Sequence, residues 1–136
     1  MTAFPYSVDV DDPIASARAL MAQHDIRHVP VKEDGELVGV ITQRDIAVRL
    51  GLTPSADDQA ALTVRQVYVP RPFVVELGAP LSEVAAEMAR RHIGSALVVK
   101  KGRLAGIFTA TDACRVLGML LGSDSTAPDD GDDEVA

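Results

Sequence analysis

The sequence Gly-Val-Ile-Thr-Gln-Arg-Asp at residues 39–45 returns as Gly-Ile-Phe-Thr-Ala-Thr-Asp at residues 106–112. Each copy reads as a β-strand that runs into a helix, with Thr at the junction and Asp three residues later. The first N–H groups of a helix have no internal acceptor, and that end of the helix carries partial positive charge. Such a corner suits a phosphate or a ribose, so the pair of corners predicts a ligand-binding function.

The same spacing also has a purely structural interpretation. Thr-x-x-Asp is close to a capping box, in which Thr42 or Thr109 caps the helix and the acid three residues later reaches back. A capping pair is repeated whenever the unit around it is repeated. The duplication alone therefore does not establish a ligand site.

The motif belongs to a longer internal repeat. Residues 5–51 align without a gap onto residues 72–118, and fifteen of the 47 positions are identical. Chance would give about four identities at this composition, so an internal duplication is well supported. One unit is too small to bury its own sheet and helices. We therefore expect two units packed sheet face to sheet face with pseudo-two-fold symmetry.

Each unit predicts the element order β-α-β-β-α, which places the chain in the α+β class. Asp12 is a favourable N-cap for the first helix, which begins at Pro13, as its counterpart begins at Pro80. Residues 52–62 predict an exposed connection, and Thr63 predicts a capped helical turn over residues 63–67. The predicted strands are 7–10, 28–33, 36–41, 74–77, 95–100 and 103–108, with hairpin turns at Asp34-Gly35 and Lys101-Gly102. The predicted main helices end near His24, Leu50, Arg91 and Leu121.

Composition and charge limit the classes of function. Of the 136 residues 47% are hydrophobic but only 4% are aromatic, which argues against a base-stacking platform for single-stranded nucleic acid. The net charge is −7, but six of the 20 acids lie in residues 123–136, so the rest of the chain is nearly neutral. No clustered basic surface predicts nucleic-acid binding. The acidic tail at 123–136 is predicted to be disordered.

Cysteine usage and apolar segments indicate the compartment. Cys114 is the only cysteine, so no intramolecular disulfide can form, and we expect it to be a small buried residue. No secretory signal pattern opens the sequence, and the apolar segment 116–121 is too short to span a bilayer. These features predict a soluble cytoplasmic protein without membrane association.

The sequence contains no recognisable catalytic or metal-binding set. It has no Gly-x-Ser-x-Gly, no Walker loop and no dinucleotide-binding glycine pattern, so we expect no enzymatic activity. His24, His28 and His92 do not share a predicted element face, and zinc needs three or four converging ligands. We therefore predict no metal site.

The two copies of Val-x-x-x-Gly-x-Leu-x-Gly followed by two hydrophobic residues and Thr-x-x-Asp span Val31 to Asp45 and Val98 to Asp112. Together with the segments 1–5 and 68–72 that lead into each unit, they resemble a tandem pair of CBS domains, the Bateman module. The resemblance covers residues 1–121. It implies a first CBS repeat at 1–51, a linker and lead-in turn at 52–67, a second repeat at 68–122 and the acidic tail at 123–136.

The resemblance also implies a regulatory function. Such modules bind an adenosine-containing ligand (AMP, ADP, ATP or S-adenosylmethionine) in clefts between the repeats, need no other cofactor, and commonly associate as homodimers. It implies that Asp45 and Asp112 hold ribose hydroxyls and that Thr42 and Thr109 meet the phosphate or ribose. A carboxylate is a double acceptor suited to vicinal hydroxyls. The starts of the second strands would supply main-chain contacts to the base, and these residues are His28, Val29, Pro30, Ser95, Ala96 and Leu97.

The two predicted pockets differ in charge. The first corner carries Arg44, whereas Thr111 stands at the matching position of the second. Arg27 and His28 add further phosphate partners to the first. We therefore expect charged nucleotides to prefer the first pocket, with the second left empty or holding a less charged ligand. The alternative hypothesis is a ligand-free interaction or dimerisation module in which both Thr-x-x-Asp motifs only cap helices.

Overall fold

The computed structural model describes residues 2–3 and 6–123. Over these residues the order of elements confirms two β-α-β-β-α units in the α+β class. The strands are β1 (Thr2–Ala3), β2 (Val8–Asp9), β3 (His28–Glu33), β4 (Glu36–Thr42), β5 (Val69–Pro70), β6 (Val74–Glu76), β7 (Ser95–Lys100) and β8 (Arg103–Thr109). The α-helices are α1 (Ile14–His24), α2 (Gln43–Leu52), α3 (Ala56–Ala60), α4 (Leu81–Arg91) and α5 (Ala110–Ser123), and a 3-10 helix spans Val64–Gln66. Of the predicted disordered tail at 123–136, Ser123 is the last residue of α5 and the rest lies outside the described residues.

The strands form two four-stranded sheets, ordered β2-β3-β4-β5 and β1-β8-β7-β6. Each sheet takes three strands from one repeat and a short edge strand from the other. β5 pairs antiparallel with β4, with Val69 opposite Val40, and β1 pairs antiparallel with β8, with Thr2 opposite Ile107. The segments that lead into the repeats are thus exchanged, so each repeat completes the sheet of its partner.

Both predicted hairpins are confirmed with two-residue turns. Asp34 and Gly35 have φ angles of 52° and 82°, and Lys101 and Gly102 have φ angles of 52° and 78°. Positive φ at both central residues is the type I′ turn, whose twist matches that of the flanking strands. The turns set the register that brings His28 opposite Thr42 and Ser95 opposite Thr109.

The prediction that Asp12 caps α1 is wrong. The N-cap residue is Pro13, which makes no side-chain capping bond. Asp12 Oδ2 instead accepts a hydrogen bond from the N–H of Asp9 at 2.9 Å. The short polar side chain of Asp12 closes the turn that precedes the helix, which is an alternative use of the same acceptor.

The prediction that residues 52–62 form an exposed connection is also wrong in part. The segment contains α3, whose N–H at Asp58 donates to the Ser55 side chain at 3.0 Å. Leu62 is only 5% exposed and belongs to the core of the first repeat. The predicted capping of the following turn is confirmed, because Thr63 and Gln66 form a capping box around the 3-10 helix. The connection therefore packs along the first repeat instead of looping away from it.

Three apolar clusters hold the fold together. One lies within the first repeat, around Val10 and Val31, and one lies within the second repeat, around Met88 and Phe108. The third joins Val40 of β4 to Leu97 of β7 and Ile107 of β8, so it lies between the two sheets. This central cluster confirms the predicted packing of sheet face on sheet face.

The prediction that Cys114 is buried is wrong, because its side chain is exposed. It lies on the outer face of α5, where Leu117, Met119 and Leu121 are also largely exposed. Over the described residues, none of the helices combines the length and the apolar character that a membrane crossing needs.

Candidate functional site

The first corner lies at the junction of β4 and α2. Thr42 is the N-cap of α2, and its Oγ1 accepts a hydrogen bond from the N–H of Asp45 at 3.0 Å. The N–H of Gln43 donates to the carbonyl oxygen of Arg27 at 2.9 Å. Among the described residues, this leaves the N–H of Arg44 as the helix-terminal donor that a ligand can use.

This corner opens into a cavity of about 900 Å³ between the repeats. The first repeat contributes His28, Thr42, Arg44 and Asp45 to its wall, and the second repeat contributes Ser95 at the start of β7. Small-molecule sites commonly have volumes of about 300–1,000 Å³, so the cavity is large enough for a nucleotide. It brings together four of the predicted first-corner residues and one residue predicted for the second.

The carboxylate of Asp45 has no hydrogen bond or ion pair with any side or main chain in the described part of the molecule. The capping bond at this corner uses only its main-chain N–H. Asp45 is half-buried and lines the cavity, so both of its oxygens remain available as acceptors. This is the arrangement that recognition of two vicinal hydroxyls requires.

His28 lies beside Asp45 on the cavity wall. Burial lowers the pKa of His28 below its ordinary value of 6.5, although the carboxylate of Asp45 acts to raise it and the guanidinium of Arg27 acts to lower it further. The ring is therefore mainly neutral at pH 7. It offers one N–H donor and one nitrogen acceptor to a ligand.

The second corner, between β8 and α5, has the same sequence spacing but different contacts. Asp112 Oδ2 accepts hydrogen bonds from the N–H of Thr109 at 2.9 Å and from its hydroxyl at 3.1 Å. The N–H of Asp112 donates back to Thr109 Oγ1 at 3.2 Å. Its other oxygen accepts from Arg115 Nη1 at 3.1 Å. With 8% of its surface exposed, Asp112 is a buried, fully partnered capping residue.

A second cavity, of about 360 Å³, adjoins this corner. Thr109, Thr111 and Asp112 line it together with Arg27 and His28 of the first repeat. Each cavity therefore pairs the corner of one repeat with the start of a strand from the other. Arg27 and His28 lie on the walls of both cavities.

Four residues predicted to contact the base lie outside both walls. The side chains of Val29, Pro30, Ala96 and Leu97 are buried in the core and line neither cavity. The sequence-based hypothesis concerned their main-chain atoms, and that role stays a prediction.

The wall of the larger cavity also contains residues that were not predicted from the sequence. Arg71 and Phe73, on the segment after β5, line it, as does Arg91 at the end of α4. The arginine at position 71 was visible within the lead-in segment of the second repeat. The exchange of β5 onto the first sheet was not visible, and that exchange brings the segment to the first corner.

The charges on the two cavity walls differ. The larger cavity has four arginines (Arg27, Arg44, Arg71 and Arg91) against the single carboxylate of Asp45. The smaller cavity has two arginines against two aspartates, Asp25 and Asp112. Within residues 2–3 and 6–123, no three His, Cys, Asp or Glu side chains converge in a metal-binding geometry.

A protein-family model described as CBS domain matches the chain twice, over residues 1–51 and 64–118. The structure of the AcuB protein of Vibrio cholerae superimposes with a TM-score of 0.74 at 30% identity, covering 94% of both chains. The CBS domain pair of protein MJ0100, solved with 5′-methylthioadenosine and S-adenosyl-L-methionine, superimposes with a TM-score of 0.75 at 27% identity and covers 88% of this chain and 93% of that one.

Longer proteins also contain a related region. The L-aspartate semialdehyde sulfurtransferase of Methanocaldococcus jannaschii is 30% identical over 116 residues, which are 84% of this chain and 21% of that enzyme. The chain likewise spans 22% of an inosine-5′-monophosphate dehydrogenase of Staphylococcus saprophyticus. The doubled family match, the exchanged sheets and the solved relatives agree. The chain belongs to the CBS domain family and forms a CBS domain pair.

Proposed function

We propose that this CBS pair is a regulatory module that binds an adenosine-containing ligand in the larger cavity. The observation that carries the proposal is the carboxylate of Asp45. It is half-buried on the wall of a nucleotide-sized cavity, and the described residues supply it with no hydrogen-bond or ion-pair partner. A half-buried acceptor pair without protein donors is suited to the two hydroxyls of a ribose.

Neighbouring groups fit the remaining parts of such a ligand. The N–H and guanidinium of Arg44 are available for a phosphate, and Thr42 lies at the same corner. The neutral ring of His28, with the main chain of Val29 and Pro30, is available for the base or sugar. The adenosine class is supported by the relative MJ0100, whose CBS pair was solved with two adenosine-containing molecules.

The second cavity has a lesser role in this proposal. Thr109, Thr111, Ser95 and Ala96 were predicted to bind there, but the carboxylate of Asp112 is already held by Thr109 and Arg115. A ribose would have to displace these contacts. We propose that this cavity is empty or holds a weakly bound, less charged molecule.

Two matched variants test the proposal. A ligand at about 100 times its dissociation constant stabilises the fold by about 2.7 kcal/mol, so adenosine and AMP should raise the melting temperature of the wild type. Asp45→Asn should abolish this shift and leave the unliganded stability nearly unchanged. Asp112→Asn should retain the shift but lose about 0.5–2 kcal/mol of stability, because it weakens a helix cap.

The opposite pattern would contradict the assignment. Equal or reversed losses of binding in titration calorimetry would exclude Asp45 as the principal ribose ligand. If AMP, ADP, ATP and S-adenosylmethionine all behave like a GTP control and shift nothing, the proposal itself is wrong.

The second candidate function is a ligand-free interaction module. The observation that favours it is the second corner, where Thr109 and Asp112 form a complete capping box. This chemistry requires no ligand. The first corner lacks the reciprocal bond from Asp45, so capping explains only one of the two motifs.

The remaining parts of the proposal concern the setting of the module. We propose that it acts by regulation and not by catalysis, and that it forms a homodimer through the exposed apolar side chains of α5, among them Leu117 and Leu121. A single cysteine, which excludes intramolecular disulfides, supports a cytoplasmic location.

A further inference from the structure

We propose that the preferred ligand of the larger cavity is a nucleoside polyphosphate, and that Arg71, in the segment that leads into the second repeat, selects it by binding the terminal phosphates. This inference rests on the proposed adenosine site at Asp45 and goes beyond it. It names the length of the phosphate chain as the recognised feature and assigns that recognition to a residue outside the Thr-x-x-Asp corners.

The charge of the cavity wall is the first support. Four arginines face one carboxylate there, whereas the smaller cavity is balanced. If Asp45 binds a ribose, Arg27, Arg44 and Arg71 remain without a matching negative charge from the described residues. A single phosphate would leave part of that positive charge unpaired, while a di- or triphosphate supplies one or two further anionic groups.

The availability of the arginines is the second support. Arg91 is already held by Glu87, and its guanidinium also lies 4.7 Å from the ring centre of Phe73. Arg27, Arg44 and Arg71 form no ion pair with the described residues. Guanidinium groups bind phosphate through two parallel N–H donors, so such exposed groups on one concave wall are suited to successive phosphates.

The position of Arg71 indicates which phosphate it would meet. Pro70 lies opposite Gly39 in the β4–β5 pairing, three residues before the Thr42 corner. At the usual rise of a strand, the Cα atom of Arg71 lies roughly 10–14 Å from the Cα atom of Thr42. Arg44 lies at the corner itself, one residue before Asp45. Arg44 is therefore placed for the phosphate next to the ribose, and Arg71 for the far end of a longer chain.

The main chain holds Arg71 in this place. Its main chain has a φ angle of 60°, which residues other than Gly, Asn and Asp rarely adopt. It also lies between Pro70 and Pro72. On one side β5 is paired with β4, and on the other Phe73 packs against the core of the second repeat. The guanidinium thus extends from a restrained point in the cavity wall, which lowers the entropy cost of binding.

The experiment is titration calorimetry of the full chain with adenosine, AMP, ADP, ATP, S-adenosylmethionine and inorganic tripolyphosphate. The buffer contains EDTA at fixed ionic strength, so that metal ions do not neutralise the phosphates. Affinity should rise from adenosine to ATP, with ATP bound about tenfold or more tightly than AMP. S-adenosylmethionine, which carries a sulfonium cation, should bind more weakly than ATP. The preference for ATP should shrink as salt is raised.

Three variants test whether Arg71 causes the preference for ATP. Arg71→Asn removes the charge but keeps a residue that tolerates a positive φ, so folding is preserved. It should bring ATP down to the affinity of AMP and leave adenosine unchanged. Arg71→Lys should retain part of the preference, because the charge stays and the two-donor geometry is lost. Arg103→Asn, at an exposed hairpin position outside the cavity wall, is the matched control and should change nothing.

Each of the other possible results refutes one part of the proposal. Equal binding of adenosine, AMP and ATP would refute the polyphosphate inference and leave the adenosine site intact. An ATP preference that survives Arg71→Asn would refute the role of Arg71. If adenosine and ATP both fail to bind the wild type, the proposed function falls and this inference falls with it.

Discussion

At the scale of single residues, Asp45 and Asp112 occupy the same position of the repeat and have different chemical environments. Asp112 accepts from Thr109 and Arg115 and is buried, whereas Asp45 has no side-chain hydrogen bond within the described residues and borders a cavity. The side chains that surround the two aspartates differ. Arg115 supplies a guanidinium one helical turn after Asp112, while Val48 stands at the matching position after Asp45. Arg115 in place of Val48 thus accounts for one of the three hydrogen bonds that Asp112 accepts, and Thr109 donates the other two.

His28 carries a pH-dependent contribution to stability. Its pKa in the folded state is below the 6.5 of the unfolded chain, chiefly because of burial, with Asp45 opposing and Arg27 assisting the shift. Between the two pKa values the unfolded state binds more protons, so the free energy of unfolding falls as the pH drops through this window. Above pH 6.5 the contribution is absent.

We expect His28→Gln to flatten this dependence. The wild type should lose more stability between pH 7.5 and pH 5.5 than the variant, as measured by urea unfolding at each pH. His92→Gln is the control, because its side chain is exposed on the same cavity wall. Identical pH profiles for the wild type and His28→Gln would show that burial of this ring does not affect the folding equilibrium.

At the scale of elements, the exchanged edge strands position the site. β5 lies against β4 so closely that a Cβ atom at Gly39 would come within 2.2 Å of the carbonyl oxygen of Val69 and 2.5 Å of Tyr68 Cδ2. Only a residue without a side chain allows this approach. The glycine in Gly-hydrophobic-hydrophobic-Thr therefore serves the neighbouring strand as well as its own.

We expect Gly39→Ala to destabilise the fold by about 1–3 kcal/mol, because the main chain of β5 must move away. It should also weaken ligand binding, since β5 carries Val69 and leads to Arg71 on the cavity wall. Chemical denaturation and calorimetry measure the two effects. Gly51→Ala, in α2 with no atom within 4 Å of the new methyl group, should be neutral or stabilising by up to ~1 kcal/mol. Similar effects of the two substitutions would contradict the close-approach explanation.

At the scale of the whole molecule, the two repeats share a core and an edge strand each. Val40, Leu97 and Ile107 meet between the sheets, and β1 and β5 cross from one repeat to the other. Neither repeat can unfold or separate from the other without exposing this cluster and breaking two strand pairings. We therefore expect the chain to unfold as one cooperative unit.

Leu97→Ala tests this cooperativity. Leu97 is fully buried in the central cluster, so its truncation should cost about 2–5 kcal/mol. Amide hydrogen exchange should accelerate at Val31 in one sheet as well as at Val98 in the other, because global unfolding controls both. Leu77→Ala, at a side chain that is 47% exposed, is the control. Faster exchange confined to the second sheet would show that the repeats unfold independently.

The elements of the fold were largely predictable because their signals are local. Proline at a helix start, the Asp34-Gly35 turn and the strand runs each depend on neighbouring residues, and the repeat displayed each signal twice. The errors arose where a side chain had several acceptable partners. Asp12 closes a turn instead of capping α1. Leu62 enters a core although it follows the polar stretch 53–59, and Cys114 faces outward on a helix whose outer face is also apolar.

For the candidate site too, the local features were predicted and the exchange of strands between repeats was not. Thr42, Arg44, Asp45 and His28 were predicted together and line one cavity. The resemblance implied a cleft between the repeats, and the cavity does pair the corner of the first repeat with β7 of the second. Arg71 reaches it only through strand exchange. Spacing along a chain reports the register of one unit, and it does not report which surface of another unit packs against it.

The sequence by itself determined that two β-α-β-β-α units exist and that each ends its hairpin in a helix-capping corner, because turns, caps and hydrophobic periodicity act over a few residues. Only the tertiary structure decided that the edge strands are exchanged, that one corner carboxylate is engaged and the other available, and that four arginines share one cavity. These features depend on contacts between residues far apart in the chain, whose geometry is set by the packing of one sheet on the other.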